Sequence, residues 1–137
     1  METASTMPEV GDNPADHQER LSQKFQRELN AGLVGLVLLA VLEQADEDLY
    51  GYQIAKRLQG EADGHAPVKQ GALYPVLRQL SANGLLASRI VPSYAGPPRR
   101  YYRITDAGRA VLANWRGIWR STRDFVDGFT LTEGASR

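Results

Sequence analysis

Apolar residues recur at helical spacing along most of this chain, interrupted by one stretch of strict alternation. From His17 onward, Leu21, Phe25 and Leu29 repeat every four residues with charges between them, which marks one face of a helix. This stripe reads either as a separate arm or as an extension of the helix that follows. Residues 33–42 are apolar without a break, a run of ten, too short to span a bilayer. It also starts too deep in the chain, and without a basic lead-in, for a signal peptide. It predicts a helix buried on most sides and ending near Glu43.

A second helix is expected over about 50–59, with Ile54 and Leu58 inside and Lys56 and Arg57 outside. Asp46, Glu47 and Asp48 offer its N-cap and Gly60 its C-cap, and 61–67 reads as loop. A third helix spans about 70–83 on Leu73, Val76, Leu77 and Leu80, and closes at Gly84. Pro75 lacks an amide proton, so its first turns are expected to be kinked or 3₁₀-like.

Residues 85–91 and 100–104 alternate like two strands of a ribbon. If Ile104 faces the core, Tyr102 and the stem of Arg100 share its side, and Tyr101 and Arg103 take the other. The joining tip, 94–100, contains Gly96 and Pro97, each followed by proline and so biased to extended backbone. A simple type I turn is disfavoured there. Thr105 then caps a last helix running to about Phe129. Val111, Ile118 and Phe125 lie seven apart along it, with Trp115 and Trp119 beside that line. So wide an apolar face needs a partner surface, and a second copy of the chain is the simplest one.

These elements predict a mainly α fold: a three-helix core, a two-stranded wing and a long C-terminal helix. The expected organisation is a disordered tail over 1–16, a winged helix-turn-helix domain with its helical arm over 17–104, a dimerisation helix over 105–130 and a flexible tail over 131–137. The 137 residues leave room for one small core.

Charge sharpens the picture. The chain is neutral in total, but residues 1–48 hold ten acidic and three basic side chains. Residues 69–103 hold six basic ones (Lys69, Arg78, Arg89, Arg99, Arg100, Arg103) and no acid. A helix beside a basic ribbon is a common way to hold DNA, the helix in a groove and the ribbon on the neighbouring backbone. There is no cysteine, which excludes disulfides and thiolate metal sites and fits a reducing cytoplasm. His17 and His65 are too far apart for a helical metal pair. No Ser/His/Asp spacing, apolar carboxylate pair or phosphate-cradling glycine loop is present. Neither an enzyme nor a cofactor is therefore expected.

Three strings stand in order: 49–54 (LYGYQI), 71–77 (GALYPVL) running on to Leu80 and Asn83-Gly84-Leu85, and 96–105 (GPPRRYYRIT). Together they resemble the PadR family of bacterial transcriptional regulators, over about residues 28–119. The single C-terminal helix resembles the family's small subfamily. The resemblance implies a homodimer that binds an inverted-repeat operator, usually as a repressor. It also implies an effector, since some relatives respond to phenolic acids or hydrophobic drugs. Ala72 departs from the family's frequent Thr, and Lys69 from its usual small capping residue.

By position the third helix is the recognition helix. Lys69, Gln70 and Gly71 at its start, then Tyr74 and Arg78, are its candidate DNA contacts, against the plainer reading of a solvated helix face. Tyr52 resembles a family position that touches the DNA backbone, and packing against the third helix is its alternative. Pro97, Arg99 and Arg100 form a rigid basic wing suited to a minor groove, against a charged edge that only blocks sheet association. The lack of any acid nearby favours DNA. Val111, Trp115, Ile118, Trp119 and Phe125 are candidates for a dimer core. By resemblance, Trp119 falls where multidrug-responsive relatives stack flat aromatic ligands between subunits. The competing function class is a winged module that binds a protein partner without touching DNA.

Overall fold

A computed structural model describes residues 13–62 and 70–131, and Asn13 opens its first helix. The Asn13 side chain accepts a bond from the Asp16 amide at 2.9 Å, and its carbonyl accepts from the His17 amide. Pro14 is thus the first helical residue, where its missing amide proton is no loss and its fixed φ suits the helix. The expected helix start at residue 17 moves back to Pro14, because a proline read as a breaker works here as an initiator. The helix, α1, runs unbroken over Pro14–Gln44, so the arm and the buried run are one element. By length and composition α1 could cross a membrane, with mean hydropathy 1.4 over its most apolar window. Its Val34, Leu38, Leu39 and Leu42 are instead committed to a protein core.

The chain divides into two units, residues up to 33 and residues from 34 on. The described part of the first is helical and solvated, with Leu21, Phe25 and Leu29 all exposed. Lys24 and Glu28 pair across one turn at 2.5 Å, and Gln23 donates to Glu19 in the same spacing. Such pairs steady a helix by a few tenths of a kcal/mol each, roughly 0.2–0.5.

The second unit is the winged domain. After α1 come β1 (Leu49–Tyr50), α2 (Gly51–Ala62), α3 (Gln70–Ala82), β2 (Leu86–Val91), β3 (Arg99–Ile104) and α4 (Asp106–Thr130). The sheet is antiparallel in the order β1-β3-β2, so the wing has a third short strand beyond the two that alternation predicts. Leu49 pairs with Tyr102 and Tyr50 with Tyr101, while Leu86 pairs with Ile104 and Arg89 with Tyr101. Leu49, Tyr102, Ile104 and Leu86 turn one sheet face inward, as the alternation requires. They meet Ile54 and Leu58 of α2, Leu73, Leu77 and Leu80 of α3, and Leu112 of α4. Each such side chain contributes about 1.5–3 kcal/mol on burial.

Two boundaries differ from expectation. Strand β1 occupies the place expected for the start of the second helix. Asp46–Asp48 therefore do not cap α2; the Gln53 side chain accepts from the Tyr50 amide instead. Gly60 lies inside α2 and does not end it. Pro75 sits within α3, which is α-helical from Gln70 and has no 3₁₀ turn.

The end of α3 is built as predicted. Gly84 takes φ +79°, the Leu85 amide reaches the Leu80 carbonyl, and the Gly84 amide reaches that of Ser81. This is a Schellman close, and it favours glycine because the left-handed backbone penalises a Cβ. Thr105 then does two things with one hydroxyl. It accepts the Gly108 amide at 3.0 Å, capping α4, and donates to the Gly84 carbonyl at 2.7 Å. Gly108 is pressed so close that an added Cβ would overlap the Leu85 carbonyl oxygen and crowd Ile104. Farther along, Arg116 of α4 donates to Glu43 of α1 at 2.7 Å.

Candidate nucleic-acid interface

The first turns of α3 present a surface with room on it. An added Cβ at Gly71 would meet nothing within 4 Å, and Ala72, Tyr74, Pro75 and Arg78 are exposed. The amide that Pro75 lacks is the one that would bond the Gly71 carbonyl in a regular helix. Gln70 begins α3, but Lys69 lies outside the described residues, as do the rest of 63–69 and residues 1–12 and 132–137.

Tyr74 leans back from this surface onto the start of α2. Its ring occupies the space where a side chain at Gly51 would sit, with ring atoms 2.5–2.8 Å from the position of a Cβ there. Gly51 is therefore a close-approach glycine, and it lets α2 and α3 meet at their N-terminal ends. The plain alternative for Tyr52 was packing against α3. Its ring stacks with Tyr50 at 6.4 Å, beneath the Lys56 ammonium at 5.9 Å, and is half exposed.

On the wing, Arg99 and Arg100 are the first two residues of β3, at the base of the loop and not at its tip. The loop over 92–98 is a run of bends with no regular turn, as its paired prolines predict. Tyr94 is wholly exposed on it, and Pro97 is exposed as well. The Arg99 guanidinium lies over the Tyr50 ring at 4.5 Å, and Tyr50 meets Tyr101 edge-on at 5.2 Å. Arg100 donates to the Ser88 hydroxyl across the ribbon at 3.1 Å. These contacts hold long side chains in place before any ligand arrives.

Folding alters the linear charge pattern. The basic run has no acid in sequence, yet Asp48, just before β1, reaches Arg89 of β2 at 3.0 Å. Arg89 also lies over the Tyr101 ring, 5.3 Å from its centroid. It is the wing arginine with its charge already answered.

Helix α3 and the wing share a cleft of about 310 Å³. Tyr74 and Arg78 line it from α3, Pro98, Arg99, Arg100 and Tyr102 from the wing, and Tyr50 and Gly51 from the β1–α2 junction. Among the described residues, no acidic side chain lines it. Tyr102 is its buried floor, and burial pushes the phenol's pKa above the ordinary 10.0 against the opposing pull of Arg100 and Arg78. Four sequence candidates (Tyr74, Arg78, Arg99, Arg100) thus converge. Tyr52, Gly71 and Pro97 are exposed outside the cleft lining. Sequence reasoning missed Tyr50, Gly51, Pro98 and Tyr102 as cleft residues. Pairing of β1 with β3 sets Tyr50 beside Tyr101 and so brings Tyr50 and Gly51 toward Tyr102.

The candidates on α4 separate. Val111 and Trp115 pack on the chain's own core, with Trp115 against the position of Gly35. Ile118, Trp119 and Phe125 remain exposed.

A profile of the transcriptional regulator PadR-like family matches residues 38–114, which spans α3, the wing and the cleft. A transcriptional regulator of Mycobacterium tuberculosis is 37% identical over 93 residues, covering 66% of this chain and 81% of its own. Among solved structures, a PadR family transcriptional regulator from Eggerthella lenta is 34% identical, with a TM-score of 0.66, covering 82% of this chain and 94% of that one. A transcriptional regulator from Clostridium thermocellum has a TM-score of 0.68 at 27% identity, covering 75% and 98%.

Proposed function

Because the chain belongs to the PadR-like family of transcriptional regulators, we propose that it binds operator DNA through α3 and the wing, as a ligand-responsive repressor. Regulators of this family bind DNA and are typically dimeric. The observation that carries the proposal is the acid-free cleft, where Arg78 of the recognition helix and Arg99 and Arg100 of the wing open on one side. The operator is an inverted repeat read by a homodimer in the cytoplasm. Lys69, Gln70, Gly71, Tyr52 and Pro97 are proposed to flank the arginines on the DNA.

In this reading the winged domain over 17–104 reads DNA and the helix over 105–130 joins the subunits. The exposed Ile118, Phe125, Val126 and Phe129 support it. Relatives covered to 94% and 98% of their length support placement in the small subfamily. An aromatic effector is proposed beside Trp119, which is partly exposed and followed by further apolar residues.

The test is fluorescence anisotropy on the DNA upstream of the chain's own gene across a salt series, with Arg99→Ala/Arg100→Ala alongside. Affinity that falls steeply with salt, and falls further in the variant, supports DNA binding. Salt-insensitive capture of a protein partner with no DNA affinity would overturn it in favour of a protein-binding winged module. For the effector, quenching of tryptophan fluorescence by flat aromatic compounds should be lost in Trp119→Ala.

A further inference from the structure

The geometry points to a single seat for one backbone phosphate of the operator, gripped jointly by Arg78 of the recognition helix and Arg100 of the wing. The inference rests on the DNA-binding reading and deepens it, since independent contacts by helix and wing would serve equally well for binding alone. Arg78 and Arg100 come from elements separated by a strand and a seven-residue loop, yet both line the same cleft. Both also act electrostatically on the same Tyr102 phenol at its floor.

Two cations lining one cleft repel each other unless an anion lies between them. Here the described residues give that point no carboxylate: Asp48 is engaged by Arg89 on the same ribbon. Arg100 is braced by Ser88 through one of its five N–H donors, which leaves others to turn on a ligand. Arg99 is stacked on Tyr50 and walls the cleft with its charge. A tetrahedral, doubly liganded oxyanion fits guanidinium forks from two directions. A nucleic-acid backbone supplies that group in the one place a recognition helix and a wing both reach.

The consequence is that helix and wing are not separate handles. Whatever moves the wing against α3 opens the seat, and a single lost contact disturbs its partner.

The experiment selects the operator from random duplexes with the full-length chain. Dissociation constants are then measured across a salt series for the wild type, Arg78→Gln, Arg100→Gln and the double variant. One shared phosphate predicts that the double variant flattens the logarithmic salt slope by about 0.9 per subunit. It also predicts that Arg100→Gln changes affinity by a factor differing at least about threefold between the wild-type and Arg78→Gln backgrounds. A flattening of about 1.8 per subunit, with equal effects in the two backgrounds, assigns two phosphates to each subunit and overturns the proposal. Arg103→Gln, on the other strand face, is the control and should combine additively with Arg78→Gln. If a glutamine variant melts early, Arg78→Lys and Arg100→Lys keep the charge and should restore the slope. Inorganic phosphate at fixed ionic strength should not compete; competition lost in Arg78→Gln would give the seat to a free anion and overturn its assignment to DNA. A folded wild type that retains no duplex at low salt removes the DNA reading itself, a failure distinct from additivity.

Discussion

The two halves of α4 carry one apolar rhythm and meet different surroundings. In the first half Leu112 is fully buried, with Val111 and Trp115 packed beside it on the winged core. In the second half Ile118 is 63% exposed, Phe125 68% and Phe129 72%, although Phe125 and Phe129 meet edge-on at 5.2 Å. Residue type does not distinguish the halves; what the chain places opposite them does. Periodicity therefore reports that a face is to be covered, and it is silent on whether the same molecule covers it.

Charging the exposed half separates the two halves most strongly. Phe125→Glu/Phe129→Glu should weaken self-association about a thousandfold, from two large apolar side chains no longer buried. Sedimentation equilibrium checks this, and the helical circular dichroism of the winged core should be retained. A wild type that sediments as a monomer at all concentrations would leave the second half of α4 without the proposed partner.

Next in size is the buried half. Leu112→Ala should cost about 3 kcal/mol, read by urea unfolding, because it leaves a cavity in the shared core. Thr105→Ala should cost about 1 kcal/mol through the lost cap, while Thr105→Ser stays near wild type.

The smallest effect concerns pH. The Tyr102 phenol is raised above 10.0 chiefly by burial. Between its unfolded and folded values the folded chain keeps a proton that the unfolded chain has lost, so stability falls as pH rises above that point. Tyr102→Phe should flatten this fall in thermal melts taken above pH 10, relative to wild type at the same pH.

Much of the fold was legible because its signals are local. Gly84 and Thr105 announce the turn and the cap by residue type, and Tyr102 and Ile104 announce the inner face of β3 by alternation. Strand β1 was not legible: two residues cannot show a period, and their partners lie some fifty positions later. Pro14 misled because proline begins a helix as readily as it breaks one. At the site, charge alone marked Arg78, Arg99 and Arg100. The cleft they share depends on Gly51 admitting the Tyr74 ring and on Tyr102 forming a floor, and both are tertiary facts. The pairing of Asp48 with Arg89 was hidden for the same reason.

The Thr105 hydroxyl, bonded to both Gly84 and Gly108, has a mechanical meaning. It pins the end of α3 to the start of a rod of 25 residues. A rod of that size is about 37 Å long, so a tilt of about 5° at the pinned end swings the far end by about 3 Å. Run in reverse, a clamp on the far end fixes the angle at the pivot to within a degree or two for each ångström of play. The pin makes α4 a lever whose short arm carries α3.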